Sequence, residues 1–274
     1  MQNASSAGRK LTNEERVEVV KRQKKRNSFQ LAMLSVIGIL GFLLLWQAAV
    51  LAGVLPSRYV PAPTEVIALF ATKLVDPNPD GAVLGVHIMA SLQVALTGFL
   101  LAIVIGIPLG LFMGWFRGFD KFMRPIFEIL RPIPPVSWIP LTIIWMGIGL
   151  QAKAFIVFFS AFVPSGIKQS SPVLINVAKT CGASNFTVFR KIGIPSAMTM
   201  TFAGIRVALG NAWATLVAAE MLAANAGLGY MILQGRQFAR ADIIILGIVV
   251  IGVIGVIFTS VLGLLEKKVL RWKR

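Results

Sequence analysis

Long apolar blocks fill this chain, and short polar segments separate them. The first block, about 31–55, is roughly 25 residues long, enough to cross about 30 Å of hydrocarbon with some tilt. Further blocks lie at about 87–115, 122–148, 152–167, 196–223 and 243–265. The pattern predicts an all-α polytopic membrane protein with about six transmembrane helices. The fourth block is short for a full crossing, and the third is interrupted by prolines. After the first block, "PSRYVPAPTEV" stops a helix, and Thr64-Glu65 opens a short one over Val66–Leu74. "DPNPDG" then reads as a turn. The predicted organisation is a basic tail over 1–29, a transmembrane domain over 30–266 and a basic tail over 267–274.

In the first tail, Thr12 stands three residues before Glu15, a capping-box pattern that predicts a short helix. Its basic end, Lys21 to Arg26, suits either anionic headgroups or a plain topogenic cluster. The first apolar block is long enough to span and follows a long polar stretch, so a cleavable signal is not expected.

Composition agrees with the pattern: 56% of the 274 residues are hydrophobic and 14% charged, far below the charge of a soluble domain. The formal net charge of +16 would suggest nucleic acid in a soluble protein. Here it is explained by basic residues flanking spans, and no nucleic-acid reader motif is present. Six spans put both termini on one side, which holds 20 of the 27 Lys and Arg. The opposite side holds five: Arg58, Lys73, Lys153, Arg236 and Arg240. This bias places both termini in the cytosol. The single Cys181 excludes an internal disulfide, the single His87 excludes an HExxH site, and no metal is expected. Cys181 reads as a small filler and His87 as an interface anchor.

The 168–195 segment is long for a connector. Ser171-Pro172 opens a short helix, and Gly182 ends or bends it. "SNFTVFRKIGIP" gives a second short turn before Pro195 starts the next span. Val173, Val177 and Ala178 share a face. Such an element suits a knob for a cytosolic partner's groove or an amphipathic helix resting on the bilayer.

Within the spans, "RPIPPVSWIP" places prolines at 132, 134, 135 and 140, each removing a backbone donor. Broken backbone at membrane depth must be covered by protein or line a watery cavity. Pro134, Pro135 and Ser137 are therefore candidates to line a translocation path, with Trp138 as a gate; the alternative is a static kink. Glu128 and Arg131 are three apart and form a candidate ion pair. Arg206, roughly 10 Å into its span, needs a partner, water or a route to the surface. It either joins that pair in a structural network or lowers the barrier for an anion. Glu220 either shapes an external gate or faces water at a helix end. Gly227 and Gly229 allow a tight turn beside it.

The 168–195 loop resembles the cytosolic loop of permease subunits of ATP-binding-cassette importers: EAA, three residues, Gly, nine residues, Ile, one residue, Leu-Pro. This chain reads Asn176-Val177-Ala178, Gly182, Ile192, Gly193, Ile194-Pro195, with Asn176 in place of the acid. From about residue 60 onward, "RPIPPVSWIPLTIIWMGIG" and "GIRVALGNAWATLVAAEMLAANAGLGYMI" resemble permeases for taurine, aliphatic sulfonates, nitrate or bicarbonate. The resemblance implies the type I importer (MetI-like) permease fold and a pore formed by two copies of the chain. It also implies a bacterial cytoplasmic membrane, two cytosolic ATPases docked on 176–195, and a binding protein that delivers a small anion, nearest to taurine or another sulfonate, with nitrate, bicarbonate or an aromatic or other organic anion as the alternative. ATP and Mg are then expected on the ATPase, with no cofactor or catalytic residue here. The chain has no GxxxxGK[ST] loop, which agrees with a separate ATPase. A secondary transporter or channel would want midplane carboxylates and often a repeat; a membrane enzyme would want a nucleophile-base pair or metal set.

Overall fold

The computed structural model describes residues 13–162 and 172–270, and every regular element among them is helical. Thr12 of the capping-box pattern, Ser171 and residues 271–274 lie outside the described residues, as do the side chains of Lys21 to Arg26 and of Val173.

Helix α1 (Asn13–Leu51) is one rod of 39 residues rather than a short tail helix followed by a span. The reason is local: no glycine or proline stands between Asn13 and the apolar block, so nothing stops helix propagation. Its membrane-length part is Met33–Leu51. This helix belongs to a compact unit ending at Thr64, whose backbone N–H donates to Gln47 Oε1 at 3.4 Å.

The second unit, 65–274, holds the remaining bundle. Helix α2 (Pro63–Lys73) leads to a turn and then to α3 (Leu84–Trp115), about 48 Å long by helical rise. Helix α4 (Arg117–Leu130) is followed by a 3-10 turn (Pro135–Trp138) and α5 (Ile139–Met146). The block expected as one span is thus a broken pair, bent by 83° where the prolines remove donors. Helix α6 (Leu150–Ala161) has 12 residues, about 18 Å, shorter than a crossing. Then come α7 (Pro172–Thr180), α8 (Asn185–Val188), a π-helical turn (Phe189–Gly193) and α9 (Ile194–Ala223). Helices α10 (Leu228–Gln237) and α11 (Ala241–Val269) complete the order. Among the described residues, four helices are long and apolar enough to cross a membrane, or five with the bent pair as one span. The short α6 stands where the fourth expected span begins.

Helices α3, α6 and α9 share one core. Val94, Ala95, Phe99 and Ala102 of α3 meet Val157 and Ala161 of α6 and Ala208, Ala212 and Leu216 of α9. Small residues let these helices approach closely, the usual basis of packing inside lipid. Gly98 marks the tightest point. A Cβ there would stand 2.6 Å from both Ala154 O and Val157 Cβ. Trp213 Nε1 donates to Ile251 O at 3.1 Å and ties α9 to α11.

Helices α3 and α9 run antiparallel. The Trp115 ring at the end of α3 meets Phe189, just before α9, with centroids 5.0 Å apart. Ser91 near the start of α3 meets Leu228, just after α9. The bundle therefore has an α7–α8 end and an α10 end. We expect Gly98→Ala to cost about 1–3 kcal/mol through overpacking, lowering the thermal midpoint in detergent. Gly85→Ala, in the same helix but with open space around it, should leave the midpoint unchanged or raise it.

Candidate functional site

The α7–α8 element is built from caps. Helix α7 ends in a Schellman motif: Gly182 N–H donates to Lys179 O at 2.9 Å and Ala183 N–H to Ala178 O at 3.0 Å. Gly182 has φ +77° and nothing within 4 Å of a Cβ, so the backbone and not the space requires glycine. Ser184 then caps α8, its Oγ accepting from Thr187 N–H at 3.3 Å. On this element Asn176 and Val177 are exposed and Ala178 is half-buried; Phe186 is exposed to 71%. Buried Val188 and half-buried Ile192 root it in the bundle.

Pro195 does not start the span, as the spacing suggested. One continuous apolar helical run extends over Asn185–Leu222, and Pro195 sits inside it, in the first turn of α9. A proline at that place has no N–H and crowds the carbonyl one turn back. The wider π turn at Phe189–Gly193 takes up the mismatch without ending the helix. Gly193 there faces the Trp115 ring, which a Cβ would approach to 3.2 Å.

At the proline break, Pro134 and Ser137 are exposed and Pro135 is half-buried. The Trp138 ring leans on Phe159 of α6, centroids 5.3 Å apart, and its indole Nε1 is buried without a partner. The expected Glu128–Arg131 pair is not formed among the described residues. Helix α4 ends at Leu130, Arg131 is its C-cap, and both side chains point to open surface. Arg206 does not join them either. It pairs with Glu266 of α11, so its charge is matched although the side chain is 53% exposed. A cavity of about 410 Å³ opens beside it between α9 and α11, lined by Leu209, Gly210, Trp213 and Gly255 among others.

At the α10 end lies a constellation that the sequence reading missed. His87 is not an interface anchor; it is fully buried. Glu220 does not face water; it is 1% exposed. Ser91 Oγ donates to Glu220 at 2.8 Å and accepts from Leu228 N–H at 2.8 Å. Gly229 N–H donates to Glu220 Oε2 at 2.9 Å, and Gly227 N–H donates to His87 Nδ1 at 3.1 Å. A neutral His87 that accepts at Nδ1 carries its proton on Nε2. That nitrogen faces Asp80 Oδ2 at 3.1 Å. Asp80 in turn pairs with Lys73, which also donates to Asn78 O and Ala82 O, both at 3.1 Å. Lys73 is thus a buried loop clamp, not a surface charge. One signal was readable: His87 and Ser91 are polar residues four apart in an apolar helix, hence on one face.

Removing one partner of a buried pair leaves an uncompensated charge. Lys73→Met should therefore cost about 3–5 kcal/mol, read as a lower unfolding midpoint in detergent. Lys267→Met, at an exposed position, should stay within about 0.5 kcal/mol of the parent.

Residues 106–271 match the family described as binding-protein-dependent transport system inner membrane component. A protein assigned as an ABC transporter permease in Methanocaldococcus jannaschii is 37% identical over 191 residues, covering 67% of this chain and 72% of the relative. The taurine transport system permease protein TauC of Escherichia coli K12 is 33% identical over 243 residues, 86% of this chain and 88% of the relative. The bicarbonate transport system permease protein CmpB of Synechocystis is 32% identical over 245 residues, 85% and 86% of the two chains.

Proposed function

The chain belongs to the family of binding-protein-dependent transport system inner membrane components, and we propose that it carries taurine or another sulfonate across the cytoplasmic membrane. It is an all-α membrane protein of the MetI-like permease fold. It is the translocating subunit of an ATP-driven importer, not an enzyme, and it works with an ATPase and a substrate-binding protein.

Further parts of the proposal concern arrangement. Two copies form the pore, two ATPases holding ATP and Mg dock on the α7–α8 elements, and both termini lie in the cytosol. The charge bias supports that orientation. Without the buried Lys73, the outer side keeps only Arg58, Lys153, Arg236 and Arg240 against 20 cations. The observation that carries the docking proposal is the Schellman-capped α7, presenting Asn176 and Val177 to the outside on a mount fused to α9. A push on α7 reaches the whole of the Asn185–Leu222 run, and rocking of that rod alternates access. Asn176 offers no charge, so the contact rests on packing of Val177 and Ala178 into the ATPase groove.

The broken α4–α5 pair is the proposed path wall, with Pro134, Pro135 and Ser137 lining it and Trp138 fixed against Phe159 beside it. Arg206, matched by Glu266, is not a free cation for the anion. Arg131 has no carboxylate partner among the described residues and stands at the break.

The test is reconstitution with the cognate ATPase and binding protein in proteoliposomes, with taurine, nitrate and bicarbonate offered in turn. Taurine uptake that depends on ATP and on the binding protein supports the reading; uptake of bicarbonate or nitrate instead overturns the substrate. Gly182→Ala should weaken ATPase co-purification, because a Cβ at φ +77° costs about 1–2 kcal/mol. Gly182→Asn, which tolerates that conformation better, should retain more ATPase.

A further inference from the structure

Helix α10 has no side-chain cap of its own. Its first free amides belong to Gly227, Leu228 and Gly229, and each is held by a side chain from another helix. His87 and Ser91 of α3 take the first two, and Glu220 of α9 takes the third. Uncapped amides buried at a helix start would be costly, so these side chains decide where the turn sits. A carboxylate at that position also meets the partial positive charge of the α10 terminus.

The turn has no freedom to sit elsewhere. A Cβ on Gly227 would stand 2.4 Å from the Glu220 carboxyl carbon, and one on Gly229 would stand 2.5 Å from Val217 O. From His87 the chain of contacts continues to Asp80 and Lys73, which holds the carbonyls of Asn78 and Ala82. The 76–82 loop, the start of α3, the α9–α10 turn and the far end of α9 are therefore joined by buried polar contacts. The opposite end of the same helical run bears the α7–α8 element.

We propose that Glu220 is a positioning residue that locks the α9–α10 turn and the 76–82 loop to the end of α9. A displacement started at the ATPase-docking end then arrives intact at the face that meets the binding protein. This rests on the importer reading above. Glu220 acts through backbone amides and Ser91, and presents no group to the transported anion. The tie stays closed through the cycle; what moves is the body it holds together.

The experiment uses the full complex of permease, ATPase and binding protein in nanodiscs. ATP hydrolysis is measured with and without the binding protein loaded with taurine, for the parent, Glu220→Gln and Ser91→Ala. Stimulation by the binding protein should fall at least about five-fold in both variants, the low end of ordinary coupling between sites, while basal hydrolysis is kept. The double variant should be no worse than the poorer single one, because both act on the same turn. Unchanged stimulation in both single variants overturns the proposal. If the variants fail to assemble, hydrogen exchange on the parent complex decides. Amides 227–229 should be equally protected without nucleotide and with ATP bound. A loss of protection of about ten-fold or more in either state overturns a closed tie. A parent complex that the binding protein does not stimulate at all counts against the importer reading, and the exchange result still decides the tie.

Discussion

A chain in hydrocarbon must satisfy every backbone N–H and C=O from within. This fold depends on how that requirement is met wherever a helix stops. Long stretches meet it by themselves through α3, α9 and α11. The informative places are the interruptions: the proline break after α4, the Gly182 cap, the π turn before α9, and the start of α10. Each is closed by a different device, and each lies where the protein's work is proposed to be done.

The devices also divide the bundle by stiffness. At the α7–α8 end, caps are local: Gly182 and Ser184 satisfy their own neighbours, and Val188 roots the element in the bundle. At the α10 end, caps are long-range. His87, Ser91 and Glu220 come from two helices to close one turn, so the turn cannot move without them. Between the two ends, the π turn keeps α8 and α9 one helix where a proline would otherwise part them. The α7–α8 element and the α10 turn thus stand at the two ends of a single helical run.

Ion pairs follow the same logic. Glu128 and Arg131 sit exposed at the end of α4 and do not pair. Arg206 takes Glu266, a residue 60 positions away. Lys73 and Asp80 are buried outright, where an isolated charge would be far too costly. For Arg206 and for Lys73, residues brought close by the fold supply the partner.

Much of this protein was legible in its sequence. Apolar run length gave the helical class and the position of four spans, because run length is set by the bilayer; the third block is a bent pair and the fourth a helix of 12 residues. Prolines 132 to 135 marked the break, and Gly182 marked the loop cap, because both act on their own backbone. The Gly182–Ile192–Pro195 spacing pointed to the loop, although Pro195 lies within a helix rather than at its start. Tertiary structure alone decided the rest. Whether His87 and Glu220 face water or each other's neighbours depends on how α3 and α9 pack. That Arg206 finds Glu266 depends on α11 lying alongside. Local chemistry is written in local sequence; the partner of a buried polar group is fixed only when distant helices come together.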